Sequence, residues 1–176
     1  MRKLCFLLVL MMASAVSFSQ EYVKFMTYNV RNAKGLDGVM DCQRIANVIR
    51  NAAPDVVAVQ ELDSVTRRSG GKYVLEEIAQ RAQMSALFFP AIEYDGGKYG
   101  IGILSREKPL KVEGVSLPGR EEKRGMLIAE FEEYIFACTH LSLNEEDRMA
   151  SLEIIRQQSA ECGKPFVLAG DLNATG

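Results

Sequence analysis

Apolar side chains recur along this chain at two spacings, and the switching between them lays out the elements. Residues 23–30 read as a strand, followed by a glycine-containing loop over 32–40. Asp41 is placed to cap a helix in which Ile45, Val48, Ile49 and Ala52 fall at helical spacing, and Pro54 ends it. Residues 55–60 are a short β-branched run bounded by proline and acids, which predicts a buried strand. Leu75, Ile78, Ala79 and Ala82 mark a second helix. Residues 86–94 and 99–105 flank Asp95-Gly96-Gly97-Lys98, a hairpin signal. A weaker strand follows over 112–117, and then 124–131 and 134–140 form a second hairpin around Glu132-Glu133. Asn144 can cap a long helix whose first turn carries Glu145, Glu146 and Asp147, where negative charge suits the helix dipole. Met149, Leu152 and Ile155 supply its apolar stripe. Pro165 precedes a last strand, 166–169.

Strands alternating with helices, with hairpins between, predict a mixed α/β sheet covered by helices on at least one face. The connections after the first two strands suit right-handed crossovers. No repeat, low-complexity tract or linker interrupts the pattern, so residues 20–176 read as one domain.

The first stretch stands apart from that domain. Arg2 and Lys3 open it, residues 4–13 are unbroken apolar, and small residues lead to a cut after Ser19: the pattern of a signal peptide over 1–19. The apolar run is shorter than the roughly 20 residues a membrane span needs. The expectation is therefore export to the periplasm or beyond, with no membrane-spanning segment after cleavage. Cys5 lies too early for lipid attachment.

Of the 176 residues 48% are hydrophobic in type, enough for one real core. Losing Arg2 and Lys3 with the leader would move the formal net charge from −2 to −4. That excludes a broad positive field for non-specific nucleic-acid binding, though a bound metal would add local positive charge. Cys42, Cys138 and Cys162 are odd in number and irregular in spacing, which predicts neither a disulfide framework nor a zinc site.

Four apolar strands each lead into a residue able to bind a cation or a phosphate oxygen: Asn29, Glu61, His140 and Asp171, with Asn173 two positions later. In open α/β sheets, sites gather at the carboxyl ends of strands. If those ends are neighbours, five polar groups meet on one rim. The types suit a hard cation, Mg²⁺ or Mn²⁺, which needs only one or two carboxylates and keeps several waters. Glu61 is the candidate principal ligand, and Asn29 a second ligand or an orienting group. An extended Asp171-x-Asn173 would aim both side chains to one side. Asp171 would then activate a water while Asn173 donates to a phosphate oxygen. His140, the sole histidine, can bind phosphate or carry a proton near neutral pH. Singly, each of these residues is more often an ordinary strand-end or turn residue.

At these residues the sequence resembles the endonuclease/exonuclease/phosphatase superfamily, the DNase I-like group. The matching segments are Thr27-Tyr28-Asn29-Val30-Arg31, 54–61 ending in Gln60-Glu61, Thr139-His140-Leu141 and Gly170-Asp171-Leu172-Asn173-Ala174. The resemblance implies most of a four-layer α/β/β/α sandwich. It also implies Glu61 as metal ligand, Asn29 and His140 as site groups, and Asp171 and Asn173 as partners of water and phosphate. Arg124 falls where relatives place a phosphate-contacting arginine. Two departures stand out. Tyr99-Gly100-Ile101-Gly102 lacks the amide of the related Tyr-Gly-Asn-Ala. The late Ser-Asp-His motif is absent, and His140 cannot also serve as that histidine. The expectation is a domain whose C-terminal part is missing, with apolar surface uncovered.

The implied activity is an exported metal-dependent phosphoesterase acting on a phosphorylated substrate: nucleic acid, lipid headgroup or small phosphoester. The alternatives are a secreted endonuclease, with Arg67, Arg68, Arg120, Lys123 and Arg124 as phosphate contacts, or an inactive fragment that at most binds a phosphorylated ligand. No stable protein partner is expected.

Overall fold

The computed structural model describes residues 22–174, so the leader expected at 1–19 lies outside the described residues. The strands are β1 (Phe25–Asn29), β2 (Val56–Ser64), β3 (Ser85–Tyr94), β4 (Gly97–Ser105), β5 (Lys111–Leu117), β6 (Arg124–Glu130), β7 (Ile135–His140) and β8 (Phe166–Asp171). The helices are α1 (Cys42–Ala52), α2 (Val74–Ala82) and α3 (Glu145–Ala160). The caps expected from sequence form: Asp41 accepts from the Arg44 N–H at 3.0 Å and Asn144 from the Asp147 N–H at 3.2 Å. Among the described residues no helix is long and apolar enough to cross a membrane.

Two four-stranded sheets form, in the orders β1-β2-β4-β3 and β5-β6-β7-β8. The pairs β1/β2 and β7/β8 are parallel and the other pairs antiparallel. The sheets face each other, with β1 beside β8, β2 beside β7, and β4 beside β6. Alternation along each strand sorts the core into three layers. Val56 and Ala58 point between the sheets to meet Leu127, Phe136 and Cys138. Val57 and Val59 point the other way, under Ile45 and Ile49 of α1 and Leu75 and Ile78 of α2. Met126, Ala137 and Leu141 pack with Ile155 on the far face. Phe25 of β1 stacks on Phe136 of β7 with ring centroids 5.3 Å apart, which pins the parallel pair of one sheet to that of the other. The result is helix, sheet, sheet, helix.

Two local expectations change. Strand β2 does not stop at Gln60. It continues to Ser64 through a bulge in which Gln60 and Glu61 stand opposite Ile101 alone, between the Val59–Gly102 and Leu62–Gly100 pairs. The acids that looked like a strand end are accommodated because buried Asp63 takes a bidentate grip from Arg68, both contacts at 2.7 Å. On α3, Met149 and Leu152 are exposed, and the inward face runs through Asp147, Ser151 and Ile155. Asp147 tolerates burial because Arg120 reaches it, and the Ser151 hydroxyl donates to the Asp147 carbonyl at 2.8 Å.

Candidate functional site

The four polar strand ends belong to two different sheets, and the face-to-face packing brings them together. Asn29 closes β1 and Glu61 sits in the β2 bulge. His140 and Asp171 close β7 and β8, opposite each other in the parallel register. The Asn29 amide nitrogen donates to Glu61 Oε1 at 2.8 Å and to Asp171 Oδ2 at 3.0 Å, so one side chain spans both sheets. Its own oxygen accepts from the Arg31 N–H at 3.1 Å. That oxygen keeps a second lone pair, so the geometry is compatible with Asn29 as an orienting group or as a metal ligand.

Backbone shape aims these groups. Glu61 has φ +61°, and residues 31–33 follow Asn29 in a tight turn of three left-handed residues. A side chain in this region costs about 1–2 kcal/mol per residue, so the surrounding pairing must hold it there. Gly170 lies so close to Thr139 that a Cβ would collide with the Thr139 carbonyl oxygen, which explains glycine immediately before Asp171. Asn173 is past the end of β8 at φ +48°, not extended. Its side chain turns back to donate to the Leu141 carbonyl at 2.8 Å, and its N–H donates to Asp171 Oδ1 at 3.1 Å. The expected alignment of Asp171 and Asn173 along one strand face is replaced by this turn, in which Asn173 fixes the Asp171 carboxylate.

The His140 imidazole is largely buried, with Nε2 3.8 Å from Asp171 Oδ2. Burial and then the Arg124 charge pull its pKa below the ordinary histidine value, more than Asp171 and Glu61 restore. It is therefore neutral at pH 7. Burial alone would raise the Asp171 pKa. The Asn29 and Asn173 hydrogen bonds, with the His140 and Arg124 charges, outweigh burial and hold it below the usual value. Arg124 is buried, paired with Glu121 at 3.2 Å and Glu122 at 3.3 Å, and its Nε has no acceptor among the described residues.

Beside Glu61 opens a cavity of about 460 Å³ that the sequence did not announce. Arg68, Tyr94, Tyr99 and Glu122 line it, together with Lys34 and Asn32. Arg68 lies 4.3 Å above the Tyr94 ring, and burial, then Glu61 and Glu122, push the Tyr99 hydroxyl pKa up. The hairpin signal and Arg68 were visible in sequence, but their meeting beside Glu61 depends on the β2/β4 pairing. The other arginines weighed as phosphate contacts are engaged by carboxylates, Arg67 by Asp95 and Arg120 by Asp147 and Glu146.

Among the described residues no three His, Cys, Asp or Glu side chains form a ready-made metal cage. The donor set still suits a hard cation that keeps most of its waters: Glu61 offers a carboxylate at a cavity, and Asn29 occupies only one of its acceptor positions.

A model of the Endonuclease/Exonuclease/phosphatase family matches residues 26–176. The chain is similar to the endonuclease/exonuclease/phosphatase from Beutenbergia cavernae DSM 12333, at 25% identity and TM-score 0.69, covering 86% of this chain and 47% of that one. It is also similar to D. rerio TDP2 complexed with single strand DNA product, at 26% identity and TM-score 0.65, covering 88% and 62%. A likeness of fold alone links it to a mannosyl-6-phosphatase from Bacteroides thetaiotaomicron VPI-5482, at 16% identity and TM-score 0.68, covering 88% and 67%. The chain thus spans between 47% and 67% of the length of these proteins.

Proposed function

The chain belongs to the endonuclease/exonuclease/phosphatase family, and from that premise we propose that it is a divalent-metal-dependent phosphoesterase that works outside the cytoplasm. The observation that carries the proposal is the Asn29 amide held between the Glu61 and Asp171 carboxylates, groups 110 residues apart, with the His140 imidazole alongside. The leader pattern at 1–19 supports export.

Mg²⁺ or Mn²⁺ at Glu61 would screen phosphate from the carboxylates and stabilise charge developing in an in-line displacement. Asn29 holds Glu61 in place for that ion. Asp171, ionised at neutral pH, accepts a hydrogen bond from the attacking water and aims its lone pair. The neutral His140 Nε2 stands close enough to share that water or contact a phosphate oxygen. Arg124 supplies a buried positive charge to the phosphate. The Asn173 amide keeps one N–H for a phosphate oxygen after bonding Leu141.

The test is hydrolysis of bis(p-nitrophenyl) phosphate and p-nitrophenyl phosphate by the full chain, with Mg²⁺ or with EDTA. Metal-dependent turnover that falls by about a hundredfold or more in Glu61→Gln and His140→Ala is the expected result. Full activity in both variants sinks the site assignment. The single strand DNA product bound to the D. rerio TDP2 neighbour supports a nuclease version, and the cavity beside Glu61, with its Tyr94 and Arg68, offers a ring-stacking surface in keeping with it. Faster cleavage of a single-stranded oligonucleotide than of either nitrophenyl ester would favour that version.

A further inference from the structure

A buried arginine is useful to a phosphate only if it is held still, and two loops meet to hold Arg124. The β5–β6 loop, residues 118–123, carries Glu121, whose carboxylate receives the Ser142 hydroxyl at 2.7 and 2.8 Å, the Leu143 N–H at 2.9 Å and Arg124 Nη2 at 3.2 Å. Ser142 is fully buried on the β7–α3 loop, two residues beyond His140, and its oxygen accepts the Asn144 N–H at 3.0 Å. Arg120 bolts the same loop to α3 through Asp147, its N–H donating at 2.8 Å. The loop closes tightly on the arginine: a Cβ at Gly119 would come 2.8 Å from Arg124 Cγ.

We propose that Ser142 and Glu121 are positioning residues for phosphate binding, a latch that ties the loop bearing Glu121 to the one following His140 and fixes the Arg124 guanidinium between them. This rests on the phosphate-binding role given to Arg124 above. The Ser142 hydroxyl orients the Glu121 carboxylate, the carboxylate orients one edge of the guanidinium, and the Nε–H, which no group among the described residues accepts, is kept for an anionic oxygen. Consistent with a carboxylate locked in its charged form, the Glu121 pKa is held at about 2. Burial would raise it, and the Ser142 hydroxyl, backbone N–H groups and Arg124 together outweigh that.

The test keeps charge constant, because removing Glu121 outright would also remove a repulsion on phosphate. Ser142→Ala and Glu121→Asp both retain the carboxylate and break the latch. Inorganic phosphate is titrated into the full chain in Mg²⁺ buffer, by calorimetry, for each variant alone and on an Arg124→Ala background. Each latch variant is expected to weaken phosphate binding about fivefold, the scale of one hydrogen bond to a charged group acting indirectly. On the Arg124→Ala background neither should weaken it further, since the latch acts through that residue. Additive losses overturn the inference, because they mean a merely structural role. Arg124→Ala weakening binding while both latch variants leave it unchanged also overturns it. Unchanged binding in Arg124→Ala alone instead overturns the arginine's assigned role. Glu121 is on the surface loop, so Glu121→Asp reads the latch even if Ser142→Ala fails to fold.

Discussion

Replacing Asn29 with aspartate changes one NH₂ to an oxygen and should unbalance the whole rim. The wild-type amide makes two hydrogen bonds to carboxylates, at 2.8 and 3.0 Å, and Asn29→Asp converts both into contacts between like charges. Hydrogen bonds to charged groups contribute about 1.5–3 kcal/mol each, and the partial exposure of this rim argues for the lower end. Loss of both, with the added repulsion, therefore costs about 3–4 kcal/mol at pH 7 without metal. At about 2–4 °C per kcal/mol for a chain of this length, the melting temperature falls by about 10 °C. The pH sign follows from linkage. In the variant three carboxylates repel one another, and taking up a proton relieves that repulsion in the folded state, so stability is regained as pH falls. Divalent cation should restore it too. Urea unfolding at pH 7 and pH 5, with and without Mg²⁺, measures all of this. A variant within about 0.5 kcal/mol of wild type at pH 7 without metal, the scale of an ordinary surface change, would show that the amide does not bridge the carboxylates.

Other perturbations separate local causes. Glu61→Gly and Glu61→Ala both lose the Asn29 contact, but only glycine relieves the φ of +61°, so the glycine variant should be more stable by about 1 kcal/mol in metal-free urea unfolding; equal stabilities would mean the bulge carries no strain. His140 has a folded pKa below the 6.5 of a free histidine, so its unfolded form takes up protons first, and stability should decline as pH drops below about 6.5. His140→Gln should flatten that decline between pH 7.5 and 5.5, and an unchanged slope would refute the assignment. Gly170→Ala places a methyl against the Thr139 carbonyl and should destabilise by about 1–3 kcal/mol while disturbing Asp171; a silent substitution would mean β7 and β8 are not this close.

Much of the element plan was legible because its signals are local. Asp95-Gly96 turns at φ +47° and +80°, the left-handed pair that a two-residue hairpin needs, and Asp41 and Asn144 cap their helices from one side-chain oxygen each. The short β-branched run over 55–60 predicted a buried strand, and Val56 to Gln60 are buried throughout. The stripe expected on α3 held at Ile155 and failed at Met149 and Leu152, because a distant partner, Arg120, makes it cheap to bury Asp147 in place of Met149. Strand β2 ran past its apparent end because Leu62 to Ser64 pair with β4, remote in the chain, while the nearby Arg68 neutralises Asp63.

By itself, the order of residues determined which side chains could take part, since Asn29, Glu61, His140 and Asp171 each follow an apolar strand whose hydrophobicity is written locally. Tertiary structure alone decided that they meet, because β1 and β2 lie in one sheet and β7 and β8 in the other. It also decided how they meet. The bulge that re-aims Glu61, the turn that brings Asn173 back to Leu141, and the loop that closes on Arg124 are set by pairings and contacts between residues remote in the chain. Periodicity within a segment reports which face is buried, and carries no information about which other segment will cover it.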